Sequence, residues 1–129
     1  MAYFADLSPY TYIRGLVNQK VLNVGWLSHG HKFREGTVPE EVLAKIFVLC
    51  KSPVNQTQGL HSCEFCPSSQ FGQPVERDGV QLRLGSAEIR VPSRSGVEYA
   101  CPDMIYHYMK DHSYKPPQEF VDAFRELNI

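Results

Sequence analysis

In Val80-Gln81-Leu82-Arg83-Leu84-Gly85-Ser86-Ala87-Glu88-Ile89-Arg90-Val91-Pro92-Ser93-Arg94-Ser95-Gly96-Val97-Glu98-Tyr99-Ala100-Cys101, apolar and polar residues take turns. Val80, Leu82 and Leu84 form one alternating set, Ala87, Ile89 and Val91 a second, and Val97, Tyr99 and Cys101 a third. Successive strand side chains point to opposite faces, so a period of two predicts half-buried strands. The run Pro92–Gly96 has the composition of the turn between the second and third strands. Arg83, Glu88, Arg90 and Glu98 fall on the other face, which reads as mixed-charge and solvated.

On the C-terminal side the period changes. A helix opens near Pro102-Asp103 and runs to about His112; Pro116-Pro117 breaks it and starts another, where Phe120, Val121, Phe124 and Leu127 recur at helical spacing. On the N-terminal side, Val42, Leu43, Ile46, Phe47, Leu49 and Cys50 form an apolar stripe on a helix from about 39 to 51. Thr37 and Glu40 have capping-box spacing at its start, Pro39 suits the first turn, and Pro53 is a natural stop. Further upstream, Val21-Leu22-Asn23-Val24-Gly25-Trp26-Leu27 reads as a buried strand leading into the loop Ser28-His29-Gly30-His31. The expectation is an α+β fold: a small antiparallel sheet, with its hairpin at about 80–101, covered by helices at about 39–51, 103–112 and 117–127. No repeat or linker divides the chain, so residues 1–129 read as a single domain.

Residues 52–74 are rich in Ser, Pro, Gln and Gly, and a loop of that length inside a compact fold needs something to hold it. At its centre stands His61-Ser62-Cys63-Glu64-Phe65-Cys66. Two residues between cysteines let both thiolates turn onto one tetrahedral ion, and thiolate with imidazole selects zinc over hard cations. The remaining donors are sought in Ile105-Tyr106-His107-Tyr108-Met109-Lys110-Asp111-His112, whose histidines have H-x4-H spacing. Two ligand sets compete: Cys63, Cys66 and His107 completed by His61, or the same three completed by His112. His61 adjoins the thiolates and costs little extra ordering. His112 follows Tyr108 by one turn and Ile105 by two, which suits a core-facing stripe, so His61 is narrowly preferred. In either case the ion is a zinc knuckle stapling the 52–74 loop to a helix.

The other cysteines and histidines have plainer readings. Cys50 fits the apolar stripe of its helix and Cys101 keeps register with Val97 and Tyr99, so both read as small buried hydrophobes. A redox pair would want a thiolate at a helix N-terminus, and Pro67-Ser68-Ser69 begins no helix. His29 and His31 read as solvated turn residues. Tyr106, Tyr108 and Tyr114 read as packing residues whose hydroxyls reach the surface. Trp26, His29 and His31 are the candidates for a functional surface.

Composition sets the outer limits. Apolar residues make up 43% and charged residues 21% of the 129, ordinary values for a well-packed soluble chain. The 13 basic and 14 acidic side chains nearly cancel, which argues against phosphate binding through a general basic surface; Arg83, Arg90, Arg94 and Lys110 are the local exceptions to test. No stretch approaches a membrane span, and the first residues lack a charged region followed by an apolar run. The expectation is a cytoplasmic protein whose thiols meet a reducing environment.

Several of these segments carry a likeness in combination. Tyr3-Phe4-Ala5-Asp6-Leu7, the 21–27 run, Gly59-Leu60-His61-Ser62-Cys63-Glu64-Phe65-Cys66 and Leu84-Gly85-Ser86-Ala87-Glu88-Ile89-Arg90-Val91 are four of them. The fifth is Tyr99-Ala100-Cys101-Pro102-Asp103-Met104-Ile105-Tyr106-His107-Tyr108, continuing through His112-Ser113-Tyr114-Lys115-Pro116-Pro117 to Phe120. Together they are similar to a family of small bacterial zinc-type proteins, a domain of unknown function with an HxCxxC motif and an IxHYxxxHxYxPPxxF ending. Cys101 stands where such proteins often have a small apolar residue. The resemblance implies a bacterial, intracellular, zinc-type domain and transfers no activity.

Two function classes follow. In one, four protein ligands close a structural zinc site and the protein is an interaction or regulatory module, of the immunity or antitoxin kind, with another protein as partner. In the other, an open zinc position supports a hydrolase or deaminase-like reaction with Glu64 or Asp111 as base. The deaminase signature places its glutamate two residues after a histidine, ahead of the cysteine pair; here the order differs. No H-E-x-x-H, G-x-S-x-G or P-loop occurs. The first class is favoured, with no catalytic residue assigned.

Overall fold

The chain's architecture comes from a computed structural model, which describes residues 3–11, 17–54, 62–66 and 74–129. The element order is β1 (Pro9–Thr11), β2 (Val17–Asn23), α1 (Glu40–Cys50), β3 (Val75–Arg77), β4 (Val80–Leu82), β5 (Glu88–Pro92), β6 (Glu98–Pro102), α2 (Ile105–Asp111) and α3 (Gln118–Glu126). This is the expected α+β arrangement, with the three helices within two residues of their expected bounds. Among the described residues no helix is long and apolar enough to cross a membrane.

The alternating stretch divides between two sheets. β5 and β6 pair antiparallel around the expected turn, with Ile89 opposite Cys101 and Val91 opposite Tyr99. β4, expected in the same sheet as β5 and β6, pairs instead with β3, in a separate two-stranded sheet. The cause is local. Asp78 and Gly79 both have positive φ, 52° and 80°, as a tight two-residue hairpin demands. After β4, Gly85 at φ 111° turns the chain, and its amide donates to the Asp103 carboxylate at 2.8 Å. Asp103 is buried, and its own amide donates to the Ala87 carbonyl at 3.0 Å, so the corner is locked to the start of α2.

The main sheet has the order β1-β2-β6-β5 and is mixed: β2 runs antiparallel to β1 but parallel to β6, with Val21 opposite Glu98 and Asn23 opposite Ala100. The chain between those strands includes α1 and is long enough for the crossover a parallel pair requires. β6 therefore lies between two neighbours. Tyr99, Ala100, Cys101 and Pro102 are all buried, so the alternation visible in the sequence does not translate into one solvated face. The charged face of β5 is also partly covered: Arg90 pairs with Glu98 at 2.7 Å and lies over the Tyr10 ring at 4.6 Å.

Val21–Leu27 is buried as expected apart from a partly covered Leu22, but only its first three residues are strand. Gly25 ends the ladder with φ 84°, donating its amide to Asp6 Oδ1 at 3.0 Å. Trp26, expected as a candidate surface residue, points inward at 9% exposure, and its indole N–H donates to the Ala100 carbonyl at 2.9 Å. The expected capping box at α1 does not form. Pro39 takes the N-cap position without a side-chain cap, and the Glu40 carboxylate pairs with Arg77. The proline's extended backbone sets the helix entry, and its carbonyl accepts from the Val42 and Leu43 amides.

α1, α2 and α3 cover the sheet with Val42, Ile46, Phe47, Ile105, Tyr106, Tyr108, Phe120 and Phe124, all essentially fully buried. The Tyr106, Tyr108 and Tyr114 rings are packing residues as expected, but Tyr114 does not send its hydroxyl to the surface: it donates to Asp6 Oδ2 at 2.8 Å. Cys50 and Cys101 are buried, in accord with their reading as small hydrophobes.

Candidate metal centre

α2 presents the first half of the site. His107 stands on its first turn, half-buried, with Tyr106 and Tyr108 on either side inserted into the core. Five residues on, His112 would face a different direction on a continuous helix, because five steps of 100° leave two side chains about 140° apart. The helix does not continue. It ends at Asp111; His112 adopts φ −123°, and Ser113 takes the left-handed φ of 54°. The Tyr108 carbonyl accepts from the amides of both His112 and Tyr114, at 3.1 Å each, and fixes this turn. The break brings the two imidazole Nε2 atoms to 3.2 Å, the rings nearly perpendicular at 77°. His112 thus leaves the core-facing stripe to which helical spacing assigned it.

The second half is the Cys63–Cys66 turn, closed by the Cys66 amide donating to the Cys63 carbonyl at 3.4 Å and the Phe65 amide donating to Cys63 Sγ at 3.4 Å. Cys66 Sγ lies 3.1 Å from His107 Nε2 and 3.2 Å from His112 Nε2, and Cys63 Sγ lies 3.4 Å from His112 Nε2. All four donor atoms fall within 4.8 Å of one another, each on a half-buried residue, and the group can bind a metal ion. His61, the narrowly preferred fourth donor, lies outside the described residues.

The surroundings orient these groups. His107 Nδ1 is 2.9 Å from Asp111 Oδ2, one helical turn on, which leaves Nε2 free of its proton and aimed at the sulfurs. Phe65 seats the knuckle on the fold, its ring 5.4 Å from Phe33, 5.9 Å from Tyr108 and 5.5 Å from His112. Glu64, between the cysteines, accepts the His29 amide at 3.1 Å, so the 28–31 loop is tied to the knuckle. His29 and His31 are exposed, as expected of turn residues, and His31 lies flat on Tyr3 with centroids 3.7 Å apart.

Electrostatics without a cation are unfavourable to ligation by Cys63. Burial, above all, pushes its thiol up to about 11, and the neighbouring Cys66 adds to this. Burial also moves His107 below the ordinary histidine range, against the pull of Asp111, which keeps the imidazole neutral as a ligand must be. A bound cation would be the largest local charge and would hold the thiolates deprotonated.

The sequence pointed to Cys63, Cys66 and His107 by motif spacing and named His112 as the alternative to His61. It considered Asp111 only as a candidate base, whereas its observed contact is to His107 Nδ1. The i, i+4 spacing of those two residues was the available signal. Phe65 had no signal beyond being aromatic inside the knuckle.

No curated protein matches the chain. No solved structure matches it either. The family model described as Domain of unknown function (DUF7919) matches residues 2–125, and with nearly the whole chain covered, the chain belongs to that family.

Proposed function

We propose that Cys63, Cys66, His107 and His112 hold one zinc ion in a closed, structural site. The protein is then a small intracellular, cytoplasmic bacterial protein that works through contacts with another protein, as an interaction or regulatory module of the immunity or antitoxin kind. The observation that carries the zinc reading is the convergence of two thiols and the His107 imidazole on His112 Nε2 at 3.2–3.4 Å. A tetrahedral zinc with Zn–S near 2.3 Å and Zn–N near 2.0 Å spaces its donors by roughly 3.3–3.8 Å. Four donor contacts of 3.1–3.4 Å lie at or just inside that range, and all four atoms fall within 4.8 Å of one another. Soft thiolates beside imidazoles favour zinc over magnesium or calcium.

Four protein donors leave no position for a water or substrate, which favours a structural role over zinc-assisted hydrolysis. Glu64, the acid inside the knuckle, is held by the His29 amide, so the knuckle's chemistry is spent on positioning a loop. That loop, with His29 and His31 exposed and Tyr3 stacked beneath His31, is the surface a partner would meet.

The test is elemental analysis of untagged protein with thermal melts of variants. One zinc per chain is expected. Cys63→Ser and Cys66→Ser should each lose the ion and melt lower, because metal binding is coupled to folding. Cys101→Ala should keep full stoichiometry. His112→Ala and His61→Ala separate the two candidate fourth ligands: only the first should release zinc. Unchanged melting in both cysteine variants would overturn the structural-zinc reading.

A further inference from the structure

The four thiols divide into two classes. Cys50 and Cys101 lie in the core at 5% and 0% exposure, with Cys50 Sγ against the Asp103 carbonyl at 3.6 Å. Cys63 and Cys66 are half-buried in a short turn, both within 3.4 Å of the same imidazole nitrogen, with their sulfurs within 4.8 Å of each other. Sulfurs so placed on one turn reach the roughly 2.05 Å of a disulfide by side-chain rotation, without moving either helix. The imidazoles, by contrast, are carried by α2 and its C-cap, and the helix is anchored in the core by Ile105, Tyr106, Tyr108 and Met109. Only the sulfur half of the ligand set is therefore free to change chemically.

Resting on the zinc reading above, we infer that the Cys63–Cys66 pair is a peroxide-responsive release for the metal. One thiolate attacks the O–O bond of hydrogen peroxide: an S–O bond forms, the O–O bond breaks, and the departing hydroxide takes a proton to become water. The second thiolate attacks the resulting sulfenic sulfur: the S–S bond forms, the S–O bond breaks, and a second hydroxide leaves and is protonated. Two thiolates, one peroxide and two protons become one disulfide and two waters, with two electrons passing from sulfur to oxygen. Two imidazoles remain, too few to hold the ion. Burial keeps Cys50 and Cys101 out of this chemistry, since attack by peroxide needs both access and thiolate character.

Release reaches the surface through two contacts. Phe65 loses the tether that holds its ring against Phe33 and Tyr108, and Glu64 loses the fixed position from which it accepts the His29 amide. The 28–31 loop is then ordered in the zinc-bound, reduced chain and loosened in the oxidised one.

The experiment uses the full chain loaded with zinc and titrated with hydrogen peroxide. A zinc-responsive dye follows release, and mass spectrometry of the alkylated protein maps the bonds formed. The expected result is one zinc released for each Cys63–Cys66 disulfide, with Cys50 and Cys101 still reduced. Dithiothreitol plus added zinc should restore the starting state, and far-ultraviolet circular dichroism should keep its helical signal throughout. Zinc retained with both thiols reduced under excess peroxide overturns the release and leaves the metal reading standing. Release with the pair driven to sulfinic acid, or with oxidation at Cys50 or Cys101, also overturns it. A chain that takes up no zinc at all overturns the metal reading and this inference together.

Discussion

Asp111→Ala removes one hydrogen bond and no metal ligand, so it isolates what the carboxylate does for His107. In the structure Asp111 Oδ2 lies 2.9 Å from His107 Nδ1 while Nε2 faces Cys66 Sγ at 3.1 Å. That contact fixes which ring nitrogen carries the proton and prevents the ring from turning its N–H toward the sulfurs. Partners of this kind are worth about 10–100-fold in metal affinity, or roughly 1.4–2.8 kcal/mol. The Asp111 side chain is 49% exposed, so water competes for the bond and the lower end applies: about tenfold weaker zinc binding. Asp111→Asn keeps an acceptor and loses the charge, and should fall between the variant and the parent. The assay is competition for zinc against a chelator of known affinity, with a thermal melt of the metal-free proteins alongside. An alanine variant that holds zinc as tightly as the parent would refute the assignment, because the imidazole would then be oriented by packing alone.

The remaining expectations concern the frame that carries the site. Gly25→Ala places a methyl 2.7 Å from Ile105 Cδ1 at a residue with φ +84°, so overpacking of about 1–3 kcal/mol joins a left-handed penalty of about 1–2 kcal/mol. Urea denaturation should register the sum, and Ile105→Val in the same chain should recover part of it. Lys45→Met removes an ammonium that donates to the carbonyls of Phe124 at 2.8 Å and Leu127 at 2.7 Å. Those carbonyls close the end of α3, and their loss should cost about 1–2 kcal/mol with no change in zinc content. An unshifted denaturation midpoint would contradict that account.

Much of this was written in periods. Ile46, Phe47, Phe120 and Phe124 mark helices because a buried stripe must recur with the helical turn, and the structure buries all four. Ile89 and Val91 mark a strand for the corresponding reason. What the period could not show is which strand pairs with which. β4 pairs with β3 in a sheet of its own because of Asp78-Gly79 and Gly85, and the parallel pairing of β2 with β6 depends on contacts far apart in sequence. Of the site, motif spacing gave Cys63, Cys66 and His107 directly. His112 was harder: its position depends on where a helix stops, and Ser113 in a left-handed conformation is not a residue type that announces it. Trp26 misled because an indole beside a histidine loop looks like a contact residue, whereas its N–H is satisfied inside, on β6.

The outer edge of β5 bears on how the protein behaves at high concentration. An uncovered strand edge is a template on which a second chain can lay its own backbone. On this edge the amide and carbonyl of Glu88 are already engaged by Val54, at 2.9 and 2.8 Å. Pro92, four positions along at the far end, has no amide to give. Between them stands Arg90, whose guanidinium reaches inward across the sheet to Glu98 on β6 and Tyr10 on β1. Backbone pairing by an incoming strand is thus hindered at both ends of β5, at one by a borrowed residue and at the other by a proline.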